Sequence, residues 1–135
     1  MNLYALRKQA FDKLIKAGSH FDGSTVSDEM MDILLDALFD AQFVFPTEMR
    51  DWMVEMLQTA RTMQRTQRHA IDAERRKDSG VTWTPQMDEQ LDQLYDEVRD
   101  CRVKILEQLI GDALFERFEP FMQLPLQIET KAAPA

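Results

Sequence analysis

Apolar residues recur along this chain at steps of three and four, the period of helices that bury one face. The clearest case runs from Thr84 to Gly111, where Met87, Leu91, Leu94, Val98, Cys101, Ile105 and Leu109 form one seam. Thr84 is placed to N-cap this helix, Pro85 occupies a first turn that needs no donor, and Gly111 offers a stop. Upstream, Met49, Met53, Met56, Ala60, Met63, Gln67 and Ala70 make a second long seam on a helix capped by Thr47. The turn Asp78-Ser79-Gly80 separates the two. The pattern predicts an antiparallel helical hairpin, about 48–77 and 85–110, with Val81 and Trp83 folding back as a plug on its end.

Two shorter helices precede the hairpin. Leu3, Leu6, Ala10, Phe11, Leu14 and Ile15 give the first, from about Leu3 to Ala17, stopped by Gly18. The second is expected from about Val26 to Val44, with Thr25 and Asp28 at capping-box spacing and Pro46 ending it. Its core face is Met30, Leu34, Ala37, Leu38, Ala41 and Val44. After Gly111, Asp112 is placed to cap a short helix Ala113–Phe118, and Phe115, Phe118, Phe121 and Met122 are expected to form an apolar lid. Residues 123–135 show no period and read as a mobile tail. The expected fold is therefore all-α: one domain over 1–122, a bundle of four main helices with a short C-terminal helix and a tail.

Composition narrows the class. Four Gly and five Pro leave little room for a turn-rich β fold. The lone Cys101 excludes an internal disulfide, and without a Cys/His cluster it points to a reducing, cytoplasmic setting. On the seam, Cys101 is expected as a small buried hydrophobe. Charges interrupt the apolar residues of the N-terminus, unlike a signal peptide, and no apolar run suits a membrane span.

A net charge of −8 argues against direct binding to nucleic acid. Its distribution alternates: basic over 1–19, acidic over 20–60, basic over 61–77, acidic over 78–101. Shifting the chain by sixty residues reproduces this alternation and superposes Ala10/Ala70, Asp12/Asp72, Ser19/Ser79, Asp28/Asp88, Asp32/Asp92, Leu34/Leu94, Asp36/Asp96 and Asp40/Asp100 without a gap. The match fails inside 13–17. Two origins fit it: duplication of a basic-helix, turn, acidic-helix unit, or coincidence between Asp-rich helices.

The aspartates are the candidate chemistry. Asp28, Asp32, Asp36 and Asp40 form one ladder at every fourth residue, and Asp88, Asp92, Asp96 and Asp100 form the other. Within them, Asp28-Glu29-x-x-Asp32 and Asp88-Glu89-x-x-Asp92 resemble the acidic motifs of the all-α nucleotide pyrophosphohydrolases of the MazG and dimeric dUTPase kind. That resemblance implies carboxylates holding Mg²⁺ for a diphosphate. The residues here are largely Asp where that family has Glu, and the spacing between motifs differs. A helical wheel also turns the carboxylates aside. With Asp88 at zero, the ladder spans about 0° to 120° and the seam lies at about 220° to 300°. The ladders thus point away from the core, and no metal or cofactor is expected.

Like charges at i,i+4 repel by about 0.2–0.5 kcal/mol per pair. Pairing with the basic segments would offset this, as would mimicry, since carboxylates rising about 6 Å per step approximate a row of nucleic-acid phosphates. Two further features bear on partners. Trp52, beside the methionine seam, is a candidate interface anchor provided it is exposed. Gln123-Leu124-Pro125-Leu126 is similar to the start of the bacterial sliding-clamp-binding peptide, although Gln127 and Ile128 follow where Phe or another apolar residue usually completes it. The function expected is a non-enzymatic adaptor or inhibitor, forming a homodimer and binding another protein, with the pyrophosphohydrolase-like and clamp-binding readings as alternatives.

Overall fold

The computed structural model describes residues 2–122, and all of their regular structure is helical: α1 (Leu3–Ser19), α2 (Asp28–Ala41), α3 (Thr47–Asp78), α4 (Pro85–Gln108) and α5 (Asp112–Phe118), followed by a 3-10 turn at Glu119–Phe121. The all-α expectation holds. The tail motif Gln123, Leu124 and Leu126 lies outside the described residues.

Caps explain most helix starts. Asn2 accepts from the Ala5 N–H at the head of α1 and Thr84 from the Met87 N–H at the head of α4. The start of α2 differs from the sequence expectation. Asp22 Oδ1 accepts from the Ser24 and Thr25 N–H groups, tying Thr25 into a turn, and Ser27 becomes the N-cap of a shorter helix. Those bonds hold the Asp22 carboxyl below the usual aspartate range. α3 begins at Thr47 itself, with Pro46 at the N-cap position and no side-chain cap. Gly111, at φ 74°, takes the N-cap of α5 in place of Asp112, because the chain turns there through the left-handed region.

The helices form two antiparallel pairs. Rungs from α1 to α2 descend in order: Arg7 to the Val44 carbonyl, Lys13 to Asp40, His20 to Glu29. Rungs between α3 and α4 do the same: Trp52 to Gln108, Glu55 to Lys104, Glu74 to Tyr95, Lys77 to Asp88. α2 also packs on α3, and α5 closes against α4. The 32 residues of α3 span about 48 Å against about 21 Å for α2. Gln64 and Gln67 donate to the Val26 and Ser24 carbonyls, anchoring the α1–α2 turn partway along α3. The α3–α4 hairpin continues beyond that point.

The core follows the predicted seams. Met49, Met53, Met56, Ala60 and Met63 are buried, with Leu14, Met30, Ala37, Ile105 and Leu109 opposite. The lid expectation holds in part. Phe118 is fully buried within an aromatic cluster of Phe11, Phe45 and Trp52, whereas Phe115 is half-exposed. Arg7 ties this end together, donating to the Val44 and Phe121 carbonyls while its guanidinium lies over the Phe45 ring. At the hairpin end Trp83 is partly buried, donating to Asp88 of α4 with Lys77 of α3 over its ring, whereas Val81 is half-exposed.

Candidate protein-binding faces

The first ladder sits on a helix held between two neighbours, and a step of four residues advances 40° around that helix. Across three steps the row therefore curls about 120°. At its head Asp28 faces α3, accepting from Gln64 at 2.8 Å and pairing with Arg68 at 3.3 Å. At its foot Asp40 faces α1, pairing with Lys13 at 2.5 Å, while Asp36 stands 3.8 Å from the same ammonium. Asp40 is the largest cause raising the Lys13 pKa. Asp32, between these ends, is exposed and has no ion pair among the described residues.

The second ladder repeats the logic. Asp88 accepts from Lys77 at 2.9 Å and from the Trp83 indole at 2.5 Å, and those two bonds, Lys77 first, hold its carboxyl below the usual range. Asp96 and Asp100 share Arg99 of their own helix at 3.1 and 4.0 Å. Asp92 is exposed and, like Asp32, makes no ion pair among the described residues. The basic segment of α3 thus neutralises the head of each ladder, through Arg68 and Lys77, and leaves Asp32 and Asp92 to solvent.

The carboxylates do not converge as a metal site would require. Asp28 turns to Arg68 and Asp88 to Lys77, nine residues apart on α3 and so separated by about 13 Å along its axis. Among the described residues no three His, Cys, Asp or Glu side chains are grouped to hold a metal ion. Cys101 is half-buried, and burial first, then Glu97 and Asp100, push its thiol up, opposite to what a reactive thiolate needs.

Trp52 corrects an expectation. It is only 6% exposed, its indole donates to Gln108 Oε1 at 2.9 Å, and the Arg117 guanidinium covers its ring at 4.5 Å. Its position beside the methionine seam carries it inward, so it anchors the core rather than a partner. The exposed aromatics lie elsewhere. Phe39 is 73% exposed on α2, with Leu35 one turn before it at 51% and Phe43 just beyond the helix end at 86%. Leu35 and Phe39 fall opposite the core face of Met30, Ala37 and Ala41. An apolar pair among the aspartates was the available signal, since a half-buried helix needs only one apolar stripe.

No helix among the described residues is long and apolar enough to cross a membrane. No protein-family model, curated protein or solved structure matches the chain.

Proposed function

We propose that this chain is a small non-enzymatic helical adaptor or inhibitor that works by contact with another protein, in a cytoplasmic setting consistent with its lone thiol. The observation carrying this reading is that Asp32 and Asp92, the second rungs of the two ladders, face solvent with no ion pair among the described residues while the fold neutralises Asp28 and Asp88 beside them. Uncompensated like charges on one helix face cost stability, and binding a cationic surface offsets that cost. On α4, Asp92, Asp96 and Asp100 lie on consecutive turns about 6 Å apart along an exposed face. That row suits the phosphate-binding surface of a nucleic-acid-binding protein, which is the inhibitor form of the proposal.

The test is affinity capture from host lysate with the wild-type chain and with Asp92→Asn/Asp96→Asn/Asp100→Asn, both checked for helicity. A protein retained by the wild type, lost by the variant and displaced by added nucleic acid is the expected result. Identical capture by both chains would overturn the assignment of the α4 row.

A further inference from the structure

We propose that the outward face of α2 docks a cationic amphipathic helix of a partner protein, seating that helix's apolar stripe on Leu35, Phe39 and Phe43. The inference rests in part on the protein-contact reading above and shares Asp32 with it, but its apolar anchors and its test are independent of the α4 row. A buried phenyl ring removes roughly 150–250 Å² from water, so two largely exposed rings with Leu35 form a patch of the size that marks interaction sites. Gln42 stays in the right-handed helical region, so the turn carries Phe43 on from Phe39 rather than folding it into the core.

Charge decides the occupant. From Phe21 to Met49 the chain has no Lys, Arg or His but carries Asp22, Asp28, Glu29, Asp32, Asp36, Asp40 and Glu48. Asp32 and Asp36 are both exposed beside Leu35 on α2. A segment with apolar anchors at i, i+3 and i+4 and Lys or Arg flanking them would match both stripe and carboxylates. A second copy matches poorly: apposing two α2 faces would bring two acidic surfaces together, while Lys13 and Arg50 at their margins are already engaged by Asp40 and the Gln42 carbonyl. The patch is also well below the roughly 800 Å² per partner of a standard stable interface, which fits capture of a single helix.

The probe is a dye-labelled synthetic helix of about eighteen residues, leucine at i, i+3, i+4 and i+7 and lysine elsewhere, read by fluorescence anisotropy. Its counterpart carries glutamate for lysine. The wild-type chain is expected to bind the lysine peptide and not the glutamate one, with Phe39→Ser/Phe43→Ser weakening binding by about tenfold or more. Asp32→Asn/Asp36→Asn is expected to weaken it at low salt, with the difference from wild type shrinking as salt rises, and Asp92→Asn/Asp96→Asn/Asp100→Asn to leave it unchanged. Equal binding by the Phe39→Ser/Phe43→Ser chain would overturn the proposal. So would loss confined to the α4 variant, which would leave the function proposed for α4 standing. Sedimentation showing a concentration-dependent dimer that the Phe39→Ser/Phe43→Ser chain loses would assign the face to a second copy, and also overturn it.

Discussion

A methyl group on Gly18 would stand 2.9 Å from Cδ1 of Ile110, so α1 meets the end of α4 through a residue without a side chain. Gly18 continues its helix, which runs to Ser19 instead of stopping there. The neighbour is the tip of a flexible side chain, with the Leu109 carbonyl oxygen behind it at 3.6 Å. Gly18→Ala is expected to lie within about 1 kcal/mol of wild type, because the helix propensity gained offsets the displacement of Ile110. Gly18→Leu is expected to cost about 1–3 kcal/mol by overpacking. Urea unfolding of the two variants checks the contrast.

Gly18 also marks where the sequence stopped being legible. The seams of α3 and α4 were readable because a core-facing helix repeats its apolar positions over many turns, and Thr84-Pro85 announced a helix start. Local competitors were harder to see. Thr25 was spaced to cap α2 until Asp22 claimed its N–H, and Gly18 had the composition of a stop while serving a close approach. The ladders' outward aim followed from the wheel alone. Which aspartates are neutralised did not, because Arg68 and Lys77 meet Asp28 and Asp88 across the packing of separate helices. One detail repeats at the sixty-residue offset: Ser19 and Ser79 each donate to the carbonyl three residues back, Lys16 and Arg76, at the end of a helix entering a turn.

Trp52 offers a second check on the core. Its indole N–H has Gln108 as its hydrogen-bond partner, and the ring packs edge-on to Phe118. Gln108→Leu is expected to cost about 1–3 kcal/mol, since it strands a donor largely shielded from water. Phe118→Ala, which empties the centre of the aromatic cluster, is expected to cost about 3–5 kcal/mol. Denaturant titration followed by tryptophan fluorescence measures both.

Asp88 predicts an acid-sensitive hairpin tip. Its carboxyl is lowered in the folded chain, by Lys77 first and the Trp83 indole second, so folding favours its ionised form. The contribution is fully present above the ordinary aspartate value and is lost as pH falls from about 4 through the lowered folded value. Asp88→Asn is therefore expected to be less stable than wild type at pH 7, with the difference shrinking below about pH 4. Unfolding free energies of both chains between pH 2 and 7 test this, and a difference that stayed constant across the range would refute it.

Asp92, one turn along the same helix, is expected to behave in the opposite sense at neutral pH. It lies between Asp88 and Asp96 at i,i±4, is exposed, and has no ion pair among the described residues. It is also beyond the first turn, where the helix dipole would favour a carboxylate. Asp92→Asn removes its like-charge pairs with Asp88, Glu89 and Asp96, which predicts a gain of about 0.6–1.5 kcal/mol in total, largest at low ionic strength. The gain should fade as salt screens the ladder, so unfolding at low and high salt separates repulsion from any change in packing. Two aspartates four residues apart would then carry opposite signs, one placed for the fold and one retained against it. A stabilised Asp92→Asn chain that had lost its captured partner would connect that cost to binding.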